Sequence, residues 1–308
     1  MRLAAPEEAF VRRWAVYCSE RFPPLQHGVV IAAFAFATLA VASAGRNGVA
    51  PLGAGPLAIG FAIAFLAFLE LRILDEFKDA DDDARYRPYR PVPRGLVTLR
   101  ELRAAGAAAV AVQLALAALA GPAALAALFV AFVWMALMGR EFFASAWLRA
   151  RPLVYVALHT IIVPLLALVV AACSGRAPDL FALAPFLALT YASSVVFEFG
   201  RKIRAPADER VGVETYSALW GPRSAAIAWW MALAISALLA VATAAMVGDP
   251  LPIAALAAVA TAVAAMLAAR FVSAPSARTS GRIRACSGLW LVAAYVAIGV
   301  VALPGAMR

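Results

Sequence analysis

Residues 57–83 read LAIGFAIAFLAFLELRILDEFKDADDD. From Leu57 to Leu71 the only charge is Glu70, and then Arg72, Asp75, Glu76, Lys78, Asp79, Asp81, Asp82 and Asp83 crowd into the next twelve positions. Taken with the apolar residues before it, this stretch makes a run, 51–71, long enough to cross a hydrocarbon core of ~30 Å as a helix, and the acidic tail is the end of that helix leaving lipid. With helical spacing maintained, Asp75, Asp79 and Asp83 fall four residues apart on one face, where like charges repel. Such a face calls for a cation.

The rest of the chain repeats the apolar pattern. Runs at 27–44, 51–71, 104–120, 122–139, 152–172, 179–197, 224–246, 251–270 and 287–304 are each long enough to span. Of the 308 residues, 65% are hydrophobic and 15% charged, with a mean hydropathy of +0.86, far from the makeup of a soluble domain. The runs are too continuously apolar for alternating barrel strands, and lipid forces backbone groups to pair within each segment, so all nine are expected to be helices. The expected fold is an all-α integral membrane protein. A cytoplasmic N-terminal arm, 1–26, precedes a single nine-transmembrane-helix bundle, 27–308, in which Gly121-Pro122 makes a tight hairpin. The arm has no apolar core of signal-peptide type before Pro23-Pro24, so no cleaved signal is expected.

Charge sets the orientation. Of 27 Lys and Arg, 24 lie in the arm or in the connections 72–103, 140–151, 198–223 and 270–286, leaving Arg46, Arg176 and Arg308 for the other side. Cationic short loops stay in the cytoplasm, which puts the N-terminus inside and the C-terminus outside, in a multi-pass protein of a bacterial-type inner membrane. The net charge of +9 is thereby read as topology, and no nucleic acid is expected as a partner. Cys18, Cys173 and Cys286 are scattered, with neither a disulfide framework nor a thiolate metal site in their spacing.

Chemistry is expected in the two long cytoplasmic connections, 72–103 and 198–223, which follow the second and sixth helices and so emerge on one face. Carboxylates that do not fully enclose an ion suit Mg²⁺, which keeps waters and bridges to substrate phosphates. Arg85, Arg87, Arg90 and Arg94 follow the acids, and guanidinium grips phosphate oxygens bidentately. Acids beside bases thus suit a Mg²⁺-complexed diphosphate better than a merely solvated helix end does.

Asp75-Glu76-x-x-Asp79-x-x-x-Asp83, followed by Arg90-Pro91-Val92-Pro93-Arg94-Gly95, resembles the first motif of the UbiA-type intramembrane prenyltransferases, Asn-Asp-x-x-Asp-x-x-x-Asp with an Arg-Pro-x-x-x-Gly turn. Asp75 stands for the usual Asn and Glu76 for the usual Asp, and both keep oxygen donors. That superfamily has nine helices with acidic motifs after the second and sixth, so the resemblance extends over essentially the whole chain. Its second motif, Asp-x-x-x-Asp, is met imperfectly: anchored on the helix end, Glu198 takes the first position and Lys202 the second. Anchored on Gly212-x-x-Thr215, Arg204 and Asp208 fall there instead.

The resemblance implies Mg²⁺-dependent transfer of a prenyl group from a polyprenyl diphosphate to a lipophilic acceptor, aromatic or lipid, within the membrane. It assigns Asp75, Asp79, Asp83 and Glu198 to metal, and Lys78, Arg90, Arg94, Arg201 and Lys202 to diphosphate. Asp208 takes an auxiliary catalytic role. Phosphoribosyl transfer to a polyprenyl phosphate, which some relatives of the fold perform, is the competing enzymatic reading. A transporter or lipid-binding protein is the third, and it fits less well because transport sites lie near mid-bilayer. Ionisable groups within the runs are functional suspects by default: Glu70, Glu141 and His159, the last sharing its helix with Pro164, which is expected to kink it.

Overall fold

The computed structural model describes residues 6–44 and 52–306, so Arg2, Arg46 and Arg308 lie outside the described residues. All the regular elements described are helical. They are α1 (Pro6–Arg21), α2 (Pro24–Ala44), α3 (Ala54–Lys78), α4 (Ala80–Tyr86), α5 (Leu99–Ala120), α6 (Pro122–Gly139), α7 (Ser145–Arg149), α8 (Pro152–Thr160), α9 (Ile162–Ala172), α10 (Leu180–Arg201), α11 (Tyr216–Val247), α12 (Leu251–Ser273) and α13 (Ala277–Ala306). Among the described residues nine segments are long and apolar enough to cross a membrane: α2, α3, α5, α6, α8 with α9, α10, α11, α12 and α13. The chain is an integral, multi-pass membrane protein.

Where helices start and stop follows local chemistry. Thr98 caps α5 with a reciprocal capping box, its hydroxyl accepting from the Glu101 amide while the Glu101 carboxylate accepts from the Thr98 amide. Asp179 caps α10 by accepting from Phe181 and Ala182. Pro164 has no amide proton for the Thr160 carbonyl, and the fifth span breaks one turn before it, at Ile161, between α8 and α9. Most helices outrun the apolar runs expected for them, three of them by seven residues or more. The second span continues to Lys78, the seventh begins at Tyr216 and passes a kink at Gly221-Pro222, and the ninth begins at Ala277. Beyond lipid, water satisfies polar side chains without breaking the helix, so the hydropathy edge marks the membrane and not the helix end.

The first span packs most extensively against the last, α2 on α13, and α10–α11, α11–α12, α3–α5 and α6–α9 are the other main pairs. Alanines fill much of the interior, among them Ala35, Ala37, Ala40, Ala64, Ala67, Ala240 and Ala244. Small side chains let helix backbones approach where lipid offers no hydrophobic driving force of its own.

Between α3 and α5 lies a buried polar pair: Gln113 Nε2 donates to Glu70 Oε1 at 2.7 Å. Replacing Glu70 alone by Leu takes the 2.7 Å acceptor from Gln113 Nε2, leaving it only the Ala109 carbonyl at 3.3 Å, and is expected to cost about 1–3 kcal/mol, whereas adding Gln113→Leu restores most of it. Thermal unfolding of the two variants in detergent tests this, and equal losses in both would refute it.

Candidate active site

At one end of the bundle, α3 runs into α4 through Asp79, with only a local break. The Asp79 amide still donates to the Asp75 carbonyl at 2.9 Å and the Asp83 amide to the Asp79 carbonyl at 2.8 Å, so the three acids keep their spacing of four. Their surroundings differ. Asp75 sits between Arg72 at 3.4 Å and Lys78 at 3.5 Å, and Asp79 lies 3.9 Å from Lys78. Asp83 turns inward, 2% exposed, with Arg87 and Arg90 on its two oxygens at 2.7 and 2.6 Å. Burial, reinforced by the Asp75 and Asp83 charges and opposed by Lys78, pushes the Asp79 carboxyl above its ordinary range.

Glu198 mirrors this cluster from the end of α10. Arg201 and Lys202 flank its carboxylate, Lys202 Nζ at 3.0 Å, and the Tyr216 hydroxyl donates to Oε1 at 3.4 Å. Arg201 reaches Asp75 and Arg72 electrostatically, so the rims of α3 and α10 form one field. The α8 side chain Tyr155 completes the wall, its hydroxyl accepting from Lys78 Nζ at 2.7 Å. Arg72, Tyr155 and Tyr216 were missed in the sequence. Arg72 lies one helical turn before Asp75, a signal that was available, but neither tyrosine carries a mark that separates it from an interfacial aromatic.

The other assigned residues are further apart in role. Arg94 pairs with Glu20 of α1 at 2.8 Å, and Arg90 is engaged by Asp83. Asp208 is half-exposed in the 3-10 turn Pro206–Asp208. Its neighbour Glu209 instead accepts from the Thr215 and Ser217 hydroxyls at 2.7 and 2.8 Å, tying the second loop to the start of α11. Among the described residues no three His, Cys, Asp or Glu gather as a ready metal cage. Glu141 pairs with Arg149 at 3.6 Å, and Glu141, Phe142 and Phe143 all adopt left-handed backbone, φ 45°, 52° and 56°.

The two loops clasp each other. Arg210 Nη1 donates to the Tyr89 hydroxyl at 3.1 Å, and the Gly212 backbone, φ +74°, lies under the Tyr86 ring, where a Cβ would come within 2.3 Å of a ring carbon. Gly212→Ala meets both the ring and an unfavourable backbone. It is expected to open the clasp, raising the KM for a diphosphate substrate about tenfold, by analogy with other loops that gate a site, and making 203–215 susceptible to limited proteolysis. Unchanged KM and proteolysis would show that the clasp is incidental.

Among the described residues, nine membrane-spanning helices thus gather acidic and basic side chains from the ends of α3 and α10 at one end of the bundle. The chain belongs to the UbiA prenyltransferase family, whose model matches residues 31–291. Among curated proteins, none matches the sequence significantly. The structure resembles a UbiA homolog from Aeropyrum pernix K1 (TM-score 0.63, 19% identity, covering 91% of this chain and 96% of that one). It also resembles a digeranylgeranylglyceryl phosphate synthase (TM-score 0.59, 13% identity, 95% and 99%). A third likeness is to a UbiA homolog from Archaeoglobus fulgidus bound to GPP and Mg²⁺ (TM-score 0.51, 15% identity, 91% and 99%).

Proposed function

We propose that this chain transfers a prenyl group from a polyprenyl diphosphate to a lipophilic acceptor, aromatic or lipid, in a Mg²⁺-dependent reaction at the cytoplasmic rim of the membrane. The observation that supports it best is the facing of two clusters, Arg72–Asp75–Lys78 and Glu198–Arg201–Lys202, around one electrostatic field. Carboxylates already neutralised by adjacent cations can exchange partners. Asp75, Asp79 and Glu198 would hold the metal, and Lys78, Arg201 and Lys202 the phosphate oxygens.

This donor set fits Mg²⁺. It is hard oxygen throughout, and Mg²⁺ is held by one or two carboxylates plus substrate phosphates, without a protein cage. When bound, Mg²⁺ supplies neutralisation of the charge that develops on the leaving diphosphate. Asp83, now paired with Arg87 and Arg90, would be a further metal ligand, and Arg90 and Arg94 would add to the phosphate contacts. Asp208 is close enough in sequence to the second rim to assist there as an auxiliary group. Lys78, held against the Tyr155 ring and hydroxyl, keeps its ammonium directed at the site. The loop clasp keeps water from an allylic cation that water would otherwise capture.

The test is diphosphate release by protein in nanodiscs with geranyl, farnesyl and geranylgeranyl diphosphates, with and without Mg²⁺. Release is expected only with Mg²⁺, and Asp79→Ala is expected to abolish it. Because the Asp79 proton must leave before a cation binds, donor binding is expected to weaken as pH falls, beginning above the ordinary carboxylate range. No Mg²⁺-dependent release or binding with any donor would overturn the reading and bring phosphoribosyl transfer forward.

A further inference from the structure

His159 lies one helical turn deeper in the bundle than Tyr155. Its Nδ1 is 2.8 Å from the Tyr155 carbonyl oxygen, which can only accept, so Nδ1 carries the ring proton and Nε2 is left with a lone pair. That Nε2 is buried and has no hydrogen-bond partner among the described residues. The ring is held in place, stacked on Tyr155 at 3.8 Å between centroids and 12° between planes, with the Phe142 edge at 5.8 Å. Phe142 reaches it from the left-handed turn at residues 141–143, a backbone conformation that non-glycine residues rarely adopt. A packing histidine needs no such orientation, and an orphaned buried acceptor is itself unfavourable.

The position matters as much as the lone pair. His159 interacts electrostatically with Lys78, Asp75 and Glu198, members of both rims, while lying on their membrane side. A donor with its diphosphate at the rims places its first carbons at that depth. Resting on the function proposed above, we propose that His159 is a further catalytic residue: its Nε2 accepts the hydrogen of a hydroxyl-bearing acceptor and takes that proton as the prenyl bond forms. The allylic carbon–oxygen bond breaks with its electron pair leaving on the diphosphate. The acceptor oxygen bonds to the allylic carbon, and the O–H proton ends on Nε2 as imidazolium. The substrate class is therefore a protic acceptor, a phenol or a lipid alcohol.

Two measurements test this. The chain has two histidines, so ¹⁵N-histidine protein in nanodiscs gives two ring systems, and His27→Gln assigns them. Adding 4-propylphenol or 1-monooleoylglycerol is expected to move the unprotonated Nε2 resonance of His159 upfield, while their methyl ethers leave it in place. Whichever of the two moves it names the source of the hydroxyl, and movement by neither overturns the proposal. In transfer assays with geranylgeranyl diphosphate, His159→Phe keeps the ring stack and removes the base. It is expected to lower kcat for the hydroxyl acceptor about 100-fold or more while leaving Mg²⁺-dependent binding of geranylgeranyl thiolodiphosphate unchanged. Near-full transfer by His159→Phe, or equal use of a methyl ether, overturns the assignment alone. Absence of donor binding in the parent protein overturns the function on which it rests.

Discussion

Asp75→Ala is expected to lower kcat for diphosphate release about 10³-fold while leaving Mg²⁺-free diphosphate affinity unchanged or higher. Asp75 is held by Arg72 and Lys78, with Arg201 acting on it from the facing helix. Removing its charge frees Arg72 and leaves Lys78 and Arg201 with only Asp79 and Glu198 to oppose them, which favours a bare diphosphate. What is lost is the oxygen that places the metal against the leaving group, an interaction of value mainly in the transition state. A charge-stabilising contact of this kind is worth about 3–4 kcal/mol, which sets the magnitude. The opposite pattern, weak diphosphate binding with kcat retained, would show that Asp75 serves only to hold Lys78 and Arg72.

An equally large effect is expected from a residue with no chemistry at all. Gly200 lies two residues past Glu198 on α10, and a Cβ there would fall 2.0 Å from Ser287 Oγ on α13. Ser287 is not free to turn away, since its hydroxyl accepts from Trp229 Nε1 at 2.8 Å and donates to the Ile283 carbonyl at 2.9 Å. Gly200→Leu must push α10 outward, carrying Glu198, Arg201 and Lys202 with it. Overpacking of this kind costs about 1–3 kcal/mol in stability, and a 1 Å misplacement of a reacting group about 10²-fold in rate. Activity is expected to fall at least that far with only a moderate loss of thermal stability. The smaller Gly200→Ala is expected to be rescued by Ser287→Gly, which clears the contact. Failure of that rescue would mean the close approach does not position the rim.

The nine spans were legible because lipid imposes one rule on the backbone, and run length at 57–71 or 224–246 expresses it directly. Their ends were less so: α11 starts eight residues early because Thr215 caps it in water, where hydropathy carries no information. In the site, the helical period marks Asp75, Asp79 and Asp83, while Glu198 is reached through the resemblance and its place at the end of the sixth helix, and α3 and α10 leaving the bundle at one end brings Asp75 and Glu198 into one field. The inward turn of Asp83 was not readable, because it follows from Arg87 and Arg90 folding back in the turn after α4. Tyr155 lies 77 residues from Lys78, and a contact across that separation leaves no local spacing to find. The left-handed turn at Glu141–Phe143 has no glycine to announce it.

The pairing of the first span with the last carries a consequence for biosynthesis. α2 is complete at Ala44, but its main partner begins only at Ala277. During translation α2 enters the bilayer long before the surface it belongs to exists. The arm waits as well, since α1 contacts Glu76 at the end of the second span, and Glu101 and the Leu96 carbonyl beyond it. The nascent chain therefore stays an open arc of helices until α13 has been made, and a messenger truncated before α13 yields a protein whose first helix has lost its main neighbour. Quality control in the membrane would recognise such a product by that unpaired seam.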